Sequence, residues 1–215
     1  MISADGRSRY FRVLDITNIR SNTSPVLLKQ TAFASGIYAH SMAVSEDFTT
    51  LYTFEEFNVY DIGVYDLTSR ESVMPQLNSF SWSGEAAAGE TIVHNGHIRG
   101  NYLVVAYYEA GLRVFDVSNP LNPLEVGKYE TWRDPDGDGR FNEKIDGEYH
   151  GAWNLHLDLP SGNVLVSDRN SGLFIVKINP VPLPARPAIR SLDGTTDGNV
   201  RISWSAVPGL SLIHI

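Results

Sequence analysis

The chain has 215 residues, 42% apolar and 20% charged, and its 17 Lys+Arg against 25 Asp+Glu leave a formal net charge of −8. That is enough apolar chain for one or two folded domains and too much for a disordered polymer, yet no run reaches the ~18 apolar residues of a membrane helix. The acidic balance without a Lys/Arg cluster excludes a nucleic-acid partner, and the absence of cysteine excludes disulfides, thiolate metal sites and cysteine nucleophiles while leaving the compartment open.

Residues 1–7 are polar, with neither the basic start nor the apolar core of an export signal. The first strand signal is Val13-Leu14-Asp15-Ile16-Thr17, and copies of it follow. They are Gly63-Val64-Tyr65-Asp66-Leu67-Thr68, Gly111-Leu112-Arg113-Val114-Phe115-Asp116-Val117-Ser118 and Gly172-Leu173-Phe174-Ile175-Val176-Lys177-Ile178. Their polar marks, Asp15, Asp66, Asp116 and Lys177, stand 51, 50 and 61 residues apart. A second series leads the first: Ala39-His40-Ser41, Val93-His94-Asn95 and Tyr149-His150-Gly151, in steps of 54 and 56. Two series in phase define a repeat of about 50 residues.

Within one repeat the apolar residues alternate with the short period of strands. Thr91-Ile92-Val93-His94, then residues 102–108, 111–117 and 124–129, are β-branched and aromatic runs separated by turn residues, which predicts four antiparallel strands. Glu109-Ala110-Gly111 suits a short hairpin whose glycine takes a positive φ, and Asn119-Pro120-Leu121-Asn122-Pro123 stops a strand because proline cannot donate to the ladder. No segment sustains a 3.6-residue period, so almost no helix is expected.

A four-stranded unit every ~50 residues predicts an all-β fold of propeller blades, each burying a face against its neighbour. Residues 8–178 hold two full blades, roughly 37–81 and 90–130, the last half of an earlier one and most of a fourth. Propellers close with about four to eight blades, so the chain is either a minimal four-blade ring or part of a larger one; the second is preferred, and residues 1–178 are read as a partial β-propeller.

At these residues the chain resembles the LVIVD-repeat proteins of the choice-of-anchor B type, which are bacterial, mostly exported β-propellers. The resemblance spans residues ~10–178. It rests on the Gly-Leu-Arg-Val-Phe-Asp-Val-Ser-Asn-Pro stretch at 111–120, its weaker copies at 13–17 and 63–68, His94-Asn95, Gly151-Ala152-Trp153 and residues 160–168. It implies an extracellular or cell-surface scaffold and no defined enzyme class. The acidic insert at 134–148 departs from the pattern by lengthening the last repeat.

Residues 179–187 form a stiff, proline-rich linker. Beyond it, residues 188–194 and 199–205 read as two strands around a Thr195-Thr196-Asp197-Gly198 turn. They resemble the opening of a fibronectin type III domain, an immunoglobulin-like sandwich, with Trp204 as its core tryptophan. Residues 188–215 are far short of the ~100 such a sandwich needs, so a truncated module is expected.

Two constellations offer chemistry. Asp134-Pro135-Asp136-Gly137-Asp138-Gly139-Arg140 resembles a D-x-D-x-D-G calcium loop, in which alternate oxygens converge on a hard cation around a glycine turn. By position, Asp134, Asp136 and Asp138 are side-chain ligands and Arg140 offers its carbonyl. The twelfth position is Ile145, so closure falls to Glu143 or Asp146; a solvated acidic hairpin is the alternative. His40, His94 and His150 form the second constellation. Equivalent residues on the first strands of neighbouring blades converge on a channel, where imidazoles can ligate a transition metal; recurrence for the fold's own sake is the competing explanation.

No nucleophile elbow, phosphate loop, H-E-x-x-H or dinucleotide fingerprint is present. Glu55 and Glu56, being adjacent, point to opposite faces of a strand, and Tyr107, Tyr108, Trp132 and Trp153 are read as core in preference to a sugar platform. The expectation is therefore a non-enzymatic exported scaffold that binds a protein or glycan, with a calcium-stiffened loop. A metal-dependent hydrolase or lyase in the channel is the alternative.

Overall fold

A computed structural model of the chain describes residues 1–5, 9–21, 24–32, 38–56, 62–82, 92–132, 150–178, 189–194 and 200–204. They fall into two compact units, Met1–Ile178 and Asn179–Ile215. Apart from one 3₁₀ turn at Ile19–Ser21, the regular elements described are all strands. No helix among the described residues is long and apolar enough to cross a membrane.

The first unit is a succession of antiparallel meanders. Strands β1 (Ile2–Asp5), β2 (Tyr10–Asp15) and β3 (Val26–Gln30) form the first sheet. Next come β4 (Ala39–Val44), β5 (Thr50–Glu55), β6 (Ile62–Asp66) and β7 (Gln76–Phe80), followed by β8 (Asn95–Arg99), β9 (Tyr102–Ala106), β10 (Leu112–Asp116) and β11 (Leu124–Tyr129). Strands β12 (Ala152–His156), β13 (Val164–Asp168) and β14 (Gly172–Val176) complete the unit. In the second unit, β15 (Ile189–Gly194) pairs antiparallel with β16 (Val200–Trp204).

Register assigns each strand its place in the repeat. Asp66 ends β6 opposite Thr50, and Asp116 ends β10 opposite Tyr102. Asp15 ends β2 in the same way, so the first sheet holds the second to fourth strands of a blade. It is therefore more than the half-blade the repeat count predicts, because β1 starts at Ile2, ahead of the first readable copy. The last sheet supplies the first three strands of another blade.

Strand alternation explains how the sheets stack. Successive side chains leave a strand on opposite faces, and every residue of β5 is buried. Tyr52 and Phe54 join Ile62 and Val64 in a core shared with Leu103, Val105 and Phe115 of the following sheet. Leu51 and Tyr65, one register step away, instead meet Phe11 of the preceding sheet, with Ile2, Ala4 and Val13 against them. A middle sheet thus buries both faces, as a propeller blade does. The first strands of successive sheets touch, β4 with β8 and β8 with β12. The equivalent ends of neighbouring blades are thereby brought side by side.

The hairpin between β9 and β10 fits the turn expected there. Gly111 has φ +74°, and a Cβ on it would lie 2.4 Å from the Tyr129 carbonyl oxygen, so both conformation and space require glycine.

Candidate functional site

Where β4, β8 and β12 begin, three rings stand in line. His40 and His94 have ring centroids 4.4 Å apart, and His94 and Trp153 are 4.0 Å apart. The pairing accounts for the line. Ser41 faces Phe54, Asn95 faces Ala106 and Asn154 faces Ser167, which are equivalent places on the second strands. The residues just before them, His40, His94 and Trp153, are therefore equivalent to one another. The register slips between Ala39 and Ser41 and between Ala152 and Asn154. Such a bulge adds one residue and turns its side chain out of the pleat, which places His40 and Trp153 in the line.

His150 stands three residues before this position and has its own set of contacts. Its ring stacks on Trp132 at 4.8 Å, its Nδ1 lies 2.8 Å from the Asn170 side-chain nitrogen, and its backbone N–H donates to Glu109 Oε1. The structure brings His40 and His94 together and gives their third equivalent place to Trp153.

The acidic member of the cluster is Glu56, directly after β5. Its Oε2 lies 3.3 Å from His40 Nδ1 and its Oε1 lies 3.5 Å from His94 Nε2. Tyr108, the residue of the next blade at the place of Glu56, donates its hydroxyl to Oε1 at 2.6 Å. Arg169 occupies that same place one blade further on, with its guanidinium 4.8 Å from the Trp153 ring centroid. One repeat position thus supplies a carboxylate, a phenol and a guanidinium to one neighbourhood. The ligand atoms of His40, Glu56 and His94 all lie within 4.8 Å of one another.

His94 is 2% exposed. Its Nδ1 lies against the Trp153 carbonyl oxygen, with the Asn95 side-chain nitrogen 2.7 Å away. Toward the Trp153 carbonyl, which only accepts, Nδ1 carries the proton and Nε2 presents a lone pair, whereas the Asn95 amide nitrogen, a donor, favours the opposite tautomer. Among the described residues, that Nε2 has no hydrogen-bond partner. Burial is the main cause that pulls the His94 pKa down to about 4; the Trp153 carbonyl opposes it, His40 adds to it, Glu56 opposes it and Arg169 adds to it. At neutral pH the imidazole is uncharged and able to ligate.

Of the four aromatics read as core, Tyr107 and Tyr108 are fully buried, whereas Trp132 and Trp153 are half-buried. Asp134, Asp136, Asp138, Arg140, Glu143 and Asp146, the candidate calcium ligands, lie outside the described residues. Sequence reasoning set Glu56 aside with its neighbour Glu55 and gave it no site role, although its place is the one Tyr108 fills in the next repeat.

Comparison with known proteins agrees with this architecture. The LVIVD repeat family matches residues 94–131. No curated protein matches. Among solved structures, a protein from Lactobacillus plantarum aligns with a TM-score of 0.57 at 13% identity, over 94% of this chain and 52% of its own. The periplasmic gluconolactonase of Pseudomonas aeruginosa aligns with a TM-score of 0.57 at 16% identity, over 96% and 56%. The Cps50 β-propeller domain of Myceliophteria thermophila reaches 0.51 at 13% identity, over 94% and 58%. The chain spans little more than half the length of these structures, and at such identities the likeness establishes the fold alone. The first unit is built of β-propeller repeats.

Proposed function

We propose that the chain is part of a non-enzymatic, exported or cell-surface β-propeller scaffold that binds a protein or glycan through its loops. The observation that carries this reading is how the polar side chains between blades are used. Lys29 Nζ donates to the carbonyls of Leu67 and Ser69, Ser41 Oγ to that of His94, and Arg99 to that of Leu157. Glu46 accepts from the backbone N–H of Gly100, and Asn78 donates to the Leu121 carbonyl. Side chains spent on a neighbour's backbone hold the blades in fixed order and leave the loops free to vary, as a binding platform requires. The acidic insert at 134–148 is the loop we assign to calcium, through Asp134, Asp136, Asp138, the Arg140 carbonyl and either Glu143 or Asp146. The segment at 188–215 is assigned to the start of a fibronectin-like module.

The second reading, a metal-dependent hydrolase or lyase, is favoured by the side-by-side placement of His40, Glu56 and His94. The gluconolactonase among the fold neighbours shares architecture with this chain and no more. One experiment separates the two readings. The purified chain is applied to glycan and protein arrays with and without millimolar calcium, and assayed against lactones and esters. The scaffold reading predicts saturable binding that chelation and Asp136→Ala both weaken, calcium-dependent melting that Asp136→Ala abolishes, and no turnover. Hydrolysis that disappears in His94→Ala would overturn it.

A further inference from the structure

We propose that His40 Nδ1, Glu56 and His94 Nε2 form a binding site for one divalent transition-metal ion of the zinc class, joining two neighbouring blades. The site goes beyond the scaffold reading, because an ion between blades serves a platform and a catalyst alike.

Size is the first argument. Ligands ~2.1 Å from a tetrahedral ion stand about 3.4 Å from each other. The two nitrogens stand 3.3 and 3.5 Å from the carboxylate of Glu56, and no pair in the cluster exceeds 4.8 Å. Small side-chain adjustments bring the three donors onto one centre.

Protonation is the second. In the tautomer that the Trp153 carbonyl selects, His94 Nδ1 donates its N–H to that carbonyl, so a lone pair on buried Nε2 faces a carboxylate oxygen, and both are acceptors. Two acceptors confronting each other in a buried place repel unless a cation or a proton lies between them. The backbone carbonyl that fixes the tautomer is the kind of outer contact that orients a metal-ligating histidine, and the Tyr108 hydroxyl orients Glu56 in the same way.

Donor chemistry is the third. Two imidazole nitrogens with one carboxylate suit zinc, iron or nickel, whereas calcium prefers an all-oxygen shell. The site is therefore distinct in kind from the acidic insert. Its ligands come from two blades, so loading it couples their separation to metal concentration.

The test uses Zn²⁺ alone, with Co²⁺ as a spectroscopic substitute, on the whole 215-residue chain after chelation and desalting. The expected result is one Zn²⁺ per chain by elemental analysis after dialysis, a higher melting temperature with Zn²⁺, and visible Co²⁺ bands of low-coordinate character. His40→Ala and Glu56→Gln should weaken binding at least about tenfold, and Tyr108→Phe by a smaller factor. The His40 side chain is 26% exposed, so His40→Ala spares the core and remains informative if a His94 variant fails to fold. Equal Zn²⁺ affinity in the parent and His40→Ala would overturn the proposal, as would no retention of Zn²⁺ by the folded parent. The cluster would then be a hydrogen-bonded cross-link, and the loop-binding result for the scaffold would stand unaffected.

Discussion

The aspartates that mark three of the four repeats fold the chain back at the ends of their strands. Asp15 Oδ1 accepts from the backbone N–H and hydroxyl of Thr17, Asp66 Oδ1 does the same with Thr68, and Asp116 Oδ1 accepts from the backbone N–H of Ser118. These are Asx turns, made by a short side chain that caps the residue two places on. The recurrence that reveals the repeat is therefore structural in origin. The Thr68 hydroxyl, followed by its N–H, holds the Asp66 carboxyl below its ordinary 3.8, and slight burial opposes them. A carboxyl that is the stronger acid when folded contributes fully above its unfolded value and loses that contribution as pH falls through its folded value. Asp66→Ala should thus lower the urea midpoint by a constant amount at neutral pH, with the gap closing as the pH falls below the ordinary 3.8 and through the lowered folded value. An unchanged gap in acid would mean that the turn does not depend on the charge.

Strands show what could be read and what could not. Alternation, the Gly111 turn and the proline stop were legible because each is local chemistry. The register of the histidines was less so. Spacing alone pairs His150 with His40 and His94, but the bulge before Asn154 and the long insert shift the true equivalent to Trp153. A bulge adds a residue without any signature in composition. Glu56 was hidden because it lies one residue past the end of β5, where its direction is set by the neighbouring blade. At this scale the testable element is the face between the two complete sheets. Phe54 is 0% exposed, and a Cβ on Gly96 of β8 would lie 2.3 Å from its ring. The glycine is the space into which that ring fits. Phe54→Ala should cost about 3–5 kcal/mol in chemical denaturation. A loss below about 1 kcal/mol would mean that the two sheets do not meet there.

Across the first unit, stability belongs to the seams, because a single four-stranded sheet cannot cover its own apolar faces. Repetition made the two complete blades legible, but it gave no account of what joins one to the next. The joints are side-chain pairs on different repeats that no spacing rule links, such as Ser41 with the His94 carbonyl and Tyr108 with Glu56. The account therefore stands on blades docked through specific cross-blade bonds, and Glu56 with Tyr108 is the most direct probe. The measurement is a double-mutant cycle of Glu56→Gln and Tyr108→Phe, by urea unfolding at neutral pH in the presence of a chelator. A half-buried, charge-assisted bond of 2.6 Å predicts a coupling of about 1–3 kcal/mol. Coupling indistinguishable from zero, with both single variants folded, would mean that the two blades do not meet at this seam and would contradict the architecture proposed for it.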